Sequence, residues 1–141
     1  MPGRTVTVRE SGHLARTIGV GPHRLTGDEP DPIGTDTGPT PVQLLMAGLG
    51  ACTSMTVRLY AERKGWPLAG IKVDVRVAHG VRPLGQILKD VEIIGDLNAE
   101  QISRLATIAE HCPIQRMLSA SVPVHTRTTA RRAAAPSPGA A

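Results

Sequence analysis

The sequence contains no phenylalanine, one tryptophan and one tyrosine among its 141 residues. Val, Leu, Ile and Ala must therefore fill the core, and each buries less area than an aromatic ring does. A lone protomer built this way is a marginal fold, which favours an oligomer. The shortage of rings also argues against a single-strand nucleic-acid binder, which stacks bases on aromatic platforms. The net charge of +4 does not restore that reading, because part of the excess lies in Arg127, Arg131 and Arg132 near the C-terminus. No nucleic-acid partner is expected.

Cysteine is scarce too. Cys52 and Cys112 are too few for a cysteine-rich metal site and are not spaced as CxxC. His13, His23, His79, His111 and His125 share no ligand spacing on a common element, so neither a metal nor another cofactor is expected. No N-terminal apolar run resembles a signal peptide. No segment reads as long and apolar enough to span a membrane; Leu44 to Tyr60 comes closest, but Thr, Arg, Ser and Gly interrupt it. The expectation is a cytoplasmic protein without a membrane partner. Structural disulfides are rare in that compartment. The two cysteines are then either buried small apolar residues or redox-active thiols, and the residues alone leave both readings open.

What is present is one domain's worth of alternating elements. Thr5 to Arg9 reads as a strand. Leu14 to Val20 and Arg24 to Thr26 read as a second strand, bent at Gly19, Gly21 and Pro22. Asp28 to Pro39, DEPDPIGTDTGP, is a long polar loop. Thr40 as N-cap and Pro41 at the first position then open a helix that stops at Gly65, about 24 residues long, roughly 36 Å. It is apolar almost all round, which predicts burial almost all round. Leu45, Leu49, Cys52, Thr56 and Leu59 form one stripe. Leu44, Ala47, Ala51 and Met55 form the next. Gly48 and Gly50 in its middle mark either tolerated substitutions or a close approach to the backbone.

Beyond Pro67 the period changes to two. Ile71, Val73, Val75 and Val77 alternate with polar residues, and Ile87 to Ile94 follows after a turn at Gly80, Pro83 and Gly85, predicting a hairpin with one wet face. Asn98 and Gln101 form a capping box for a second helix, with Ile102, Leu105, Ile108, Ala109 and Cys112 facing inward. Pro113 interrupts it, Ile114 to Leu118 forms a short turn, and Val122 to Thr126 reads as a last strand. This order suits an α+β fold with an antiparallel sheet wrapped on helices. The domain spans residues 1–129, and 130–141 is a disordered Ala, Pro and Arg tail.

Peroxide cleavage by a thiol needs a thiolate, hence a nearby cation or helix N-terminus. Cys52 is too deep in its helix for the N-terminal dipole. Arg16 or Arg24 is the candidate cation beside it, and Arg116 the candidate beside Cys112.

The block GPTPVQLLMAGLGACTSMTVRLYAERKGWPL, Gly38 to Leu68, resembles the central helix of the OsmC/Ohr superfamily. GDEP at Gly27 to Pro30, GDL before Asn98, and AEHCPIQRML at Ala109 to Leu118 extend the resemblance over nearly the whole ordered chain. The nearest branch is the OsmC-like group. The resemblance implies an intertwined homodimer, with the long helices of both chains packed inside wrapped sheets. It implies that Cys52 attacks a peroxide, that its sulfenic acid closes a disulfide with Cys112, and that a dithiol or lipoylated protein recycles the pair. The substrate implied is an organic hydroperoxide, so the activity is that of a thiol peroxidase in the oxidative stress response. Arg24 is the candidate catalytic Arg. Val42 and Gln43 stand where the hydroperoxide reductases and the OsmC-like branch carry an Arg-orienting Glu, so Gln43 is the candidate orienting residue, or Glu29 of the loop substitutes. That departure supports an alternative, a weakly active or non-catalytic redox-sensing or binding dimer.

Overall fold

The computed structural model describes residues 5–78 and 85–133. Its elements run β1 (Thr7–Glu10), β2 (Arg16–Val20), β3 (His23–Gly27), α1 (Pro41–Lys64), β4 (Leu68–Ala78), β5 (Gln86–Gly95), α2 (Ala99–Ala109) and α3 (Pro113–Ser119). The fold is α+β, as the sequence predicts. β1, β2 and β3 form an antiparallel sheet in that order, and β4 pairs antiparallel with β5 in a second sheet.

α1 begins and ends where the sequence places it. The Thr40 side chain accepts from the Gln43 backbone N–H, and the Gln43 side chain accepts from the Thr40 N–H, so two of the orphan N–H groups of the first turn are satisfied. Gly65 ends the helix at φ 69°, a left-handed cap that only glycine adopts without strain. The buried stripe is Leu49, Thr53, Val57 and Ala61, four residues apart. It meets Leu105 and Ala109 of α2 and Leu68 of β4 in the core. Leu105 and Val57 are fully buried; truncating a leucine so placed costs roughly 2–5 kcal/mol.

Of the two predicted stripes, only Leu49 lies on it. Leu45, Ala47, Ala51, Met55 and Leu59 are exposed in the single chain. A helix apolar on every side carries no periodic signal to choose its inward face, so the packing partners decide it. Of the two mid-helix glycines, Gly50 has a reason within the chain: an added Cβ would stand 3.3 Å from the Val75 side chain of β4, while at Gly48 it would meet open space.

Four further expectations are corrected. The second predicted strand is two strands, because Gly21 takes φ 57° and turns the chain back, pairing Val20 with His23. The residues Val122 to Thr126 form no strand; among the described residues no strand lies beside them, and Val124 is 88% exposed. Cys112 does not end α2. The proline after it disfavours helical backbone, so Cys112 is extended at φ −67°, ψ 149° and caps α3, itself a helix and not a turn. Finally, α1 is long and apolar enough to cross a membrane by length and composition; its Thr, Ser and Gly residues interrupt the apolar run too little to bring it below that mark. The β4–β5 alternation is as predicted, while the Gly80 and Pro83 turn, His79 and residues 134–141 of the tail lie outside the described residues.

The loop between β3 and α1 is built around Asp28, which is 2% exposed. Its carboxylate accepts from the Thr37 hydroxyl at 2.7 Å, the Thr35 hydroxyl at 2.8 Å, the Glu29 N–H at 2.8 Å and the Thr37 N–H at 3.1 Å. The Thr37 hydroxyl foremost, then Thr35 and the backbone donors, outweigh burial and hold the carboxyl well below its ordinary value of 3.8. A depressed carboxyl contributes stability above its unfolded value and loses it as pH falls through the native value. Asp28→Asn should therefore melt lower at neutral pH, and the gap from wild type should close in strong acid. Melting curves that stay parallel across that range would refute this role.

Candidate active site

Cys52 sits on α1 one position before the buried stripe and is half-buried, whereas Cys112, at the start of α3, is fully buried. The packing of α1 on α2 and α3 brings the two elements together. Cys52 is the residue before Thr53 and is among the groups that bring the Cys112 thiol down, so both free thiols belong to one cluster. Next to Cys52, the buried Thr53 hydroxyl lies 3.4 Å from the Cys112 sulfur and donates to the Leu49 carbonyl at 2.9 Å.

The cation at this site is Lys89. It lies on β5 in the same parity as the inward Val91 and Ile93, opposite Val75 of β4. Its Nζ donates to the Ala109 carbonyl at 2.6 Å, to the Thr53 hydroxyl at 3.0 Å and to the Gln115 side-chain oxygen. The Gln115 backbone N–H points at the Cys112 sulfur from 3.4 Å. Burial works against a charged Cys112. The Thr53 hydroxyl, the Gln115 N–H, Cys52 and the Lys89 charge together outweigh it and bring the thiol below its ordinary value. Burial lowers Lys89 in turn, opposed by Cys112, Glu110 and Cys52. Beside this cluster runs an open groove of about 670 Å³, lined by Leu49, Ile87, Lys89, His111, Gln115 and Leu118 among others.

The structure thus brings Cys52 and Cys112 together, and places the two other candidates elsewhere in the single chain. Arg24 is exposed on β3, and among the described residues no hydrogen bond or ion pair joins it to either thiol. Gln43 uses its side chain in the helix cap. Arg16 donates to the Ala15 and His13 carbonyls and pairs with Glu10 at 3.7 Å. Arg116 is exposed on α3. Lys89, Thr53 and Gln115 escape the sequence analysis. A lysine on the apolar parity of a strand was the visible signal for the first; nothing in sequence points to the others. Among the described residues no group of three or more His, Cys, Asp or Glu is placed to hold a metal ion.

Two thiols in one cluster of one chain predict an intramolecular bridge. Mild oxidation should give a Cys52–Cys112 disulfide within a single chain, seen by peptide mapping under non-reducing conditions. Mixed or interchain bridges alone would contradict the geometry.

Solved structures of similar fold include an OsmC-like protein of Mycoplasma pneumoniae, at TM-score 0.71 and 22% identity over 82% of this chain and 86% of that one. They also include an organic hydroperoxide resistance protein OsmC of Legionella pneumophila, at TM-score 0.58 and 22% identity over 81% and 88%. The organic hydroperoxide resistance protein OhrB of Bacillus subtilis gives TM-score 0.54 and 23% identity over 79% and 88%. No curated protein matches the sequence. Residues 34–127 match the family model described as OsmC-like protein, and the chain accordingly belongs to the OsmC-like family.

Proposed function

We propose that the protein is a thiol-dependent peroxidase that reduces organic hydroperoxides. The observation that carries this reading is the pairing of a half-buried Cys52 with a fully buried Cys112 whose thiolate is favoured. The Cys52 thiolate attacks the outer peroxide oxygen, the O–O bond breaks, and the alkoxide leaves and takes up a proton as the alcohol. Cys52 is then a sulfenic acid. Cys112 attacks its sulfur, an S–S bond forms, and the oxygen leaves as water. A dithiol, free or as a lipoyl group on a partner protein, returns both sulfurs to thiols. The apolar part of the groove suits an apolar peroxide tail. The two structural relatives named for hydroperoxide resistance, from Legionella pneumophila and Bacillus subtilis, support the same substrate class.

The working unit in this proposal is a homodimer. Val6, Val8, Leu25, Val42, Leu45, Met55 and Leu59 are each 46–64% exposed. Burying the rest of each such side chain contributes on the order of 1 kcal/mol. A second copy that covers α1 and the β1–β3 sheet would collect that gain.

A second reading, a redox-sensing or binding dimer with weak turnover, draws on one observation: among the described residues no arginine hydrogen-bonds to Cys52, and Gln43 is occupied as a cap.

Turnover of cumene hydroperoxide with a dithiol should vanish in Cys52→Ser. Cys112→Ser should keep the first reaction and accumulate over-oxidised Cys52. Full turnover by Cys52→Ser would overturn the peroxidase reading. Sedimentation should give twice the 14.9 kDa chain mass, and Met55→Glu should shift it to the monomer. A wild-type monomer at micromolar concentration would refute the dimer.

A further inference from the structure

Lys89 is an ammonium with a full complement of neutral partners. Its three donors meet Thr53 Oγ1, the Ala109 carbonyl and Gln115 Oε1. Among the described residues no carboxylate forms an ion pair with it. Drawing a cation inward onto neutral acceptors is costly unless a counter-charge is close. The groups that act on it by charge are Cys112, Glu110 and Cys52. Glu110 is exposed on the helix cap, and Cys112 is fully buried. Of the three, Cys112 is the fully buried one, and its sulfur lies 3.4 Å from the Thr53 hydroxyl that Lys89 holds.

The hydrogen bonds join the two. Thr53 Oγ1 accepts from Lys89 at 3.0 Å, and its own proton has two acceptors within reach, the Leu49 carbonyl at 2.9 Å and the Cys112 sulfur at 3.4 Å. A hydroxyl that accepts from a cation is a better donor through the rest of the network. The other donor to the sulfur is the Gln115 N–H, and the Gln115 side chain is held by the same ammonium. Lys89 thus holds the Thr53 hydroxyl and the Gln115 side chain, and both residues touch the Cys112 sulfur.

We propose that Lys89, acting through Thr53 and Gln115, holds Cys112 as its thiolate and is a positioning residue for disulfide closure. The thiolate is argued from the hydrogen bonds around the sulfur, and its use in closure rests on the peroxidase reading. In closure the Cys112 thiolate attacks the Cys52 sulfenic sulfur. The S–S bond forms, the S–O bond breaks, and the departing hydroxide takes up the proton that Cys112 had released. In recycling the roles reverse. A reductant thiolate attacks the Cys52 sulfur, on the less buried of the two cysteines, the Cys52–Cys112 bond breaks, and Cys112 leaves as the thiolate, which leaves faster the better it is stabilised. The reductant's second thiol then attacks the mixed disulfide, releasing Cys52 and a cyclic disulfide.

The test is an ultraviolet thiolate titration of Cys112 in a Cys52→Ser background, which leaves Glu110 and His111 in place. Lys89→Gln and Thr53→Val should each move the midpoint upward, and Thr53→Ser should restore it. If Lys89→Gln fails to fold, as judged by circular dichroism, Thr53→Val carries the comparison. An unchanged midpoint in folded Lys89→Gln or folded Thr53→Val would overturn the proposal. With Cys52 present and one equivalent of cumene hydroperoxide, Lys89→Gln should retain trapped Cys52 sulfenic acid several-fold longer than wild type. Equal lifetimes would overturn the role in closure. A wild-type protein that forms no sulfenic acid would sink the peroxidase reading, while the titration would still decide the thiolate.

Discussion

Contact between Val57 and Ala61 on the buried stripe of α1 and the Leu105 and Ala109 face of α2 is the constraint on which the rest of the site depends. The stripe determines which way α1 is rotated, and hence where Cys52 points. α2 ends at Ala109, and Pro113 turns the chain into the extended Cys112 and then into α3. A different rotation of α1, by the hundred degrees or so that separate adjacent helical positions, would carry Cys52 away from Cys112. The same contact puts a threonine, and not an aliphatic residue, at the point where the helices meet the β5 lysine.

That polar point is the second constraint. A thiol, a hydroxyl and an ammonium converge in a small aliphatic core, and each supplies what another lacks. Among the described residues no buried side-chain nitrogen or oxygen is left without a partner. Such a network specifies one arrangement, because loss of any member leaves a desolvated group exposed to the full cost of its isolation. Function and specificity of packing therefore rest on the same few atoms.

Much of this was legible in the sequence, and the limits have physical reasons. Caps and periods gave the bounds of α1, the Asn98–Gln101 capping box and the β4–β5 alternation, because these are local chemistry. The family resemblance pointed to the thiol pair. The inward face of α1 was not legible, since a helix apolar on all sides has no amphipathic period. Thr53 sits among small polar residues that read as interruptions of an apolar run. Lys89 was not singled out in the strand Ile87 to Ile94, although its parity with Val91 and Ile93 set it on the apolar side. Arg24 and Gln43 were drawn from the family pattern, and a single chain gives the first no partner at Cys52 and the second a place in the cap. The region around Val122 to Thr126 shows the opposite error: a strand-like composition does not make a strand without a neighbour to pair with.

The central claim is that this fold makes Cys52 a peroxide-reactive thiol and not merely a half-buried apolar residue. The most direct measurement is the stopped-flow rate of Cys52 oxidation by an organic hydroperoxide, set beside the rate of a small free thiol at the same pH. The account predicts a rate far above that of the free thiol. A rate no greater than the free thiol's would contradict it and leave the redox-sensing or binding dimer as the better description.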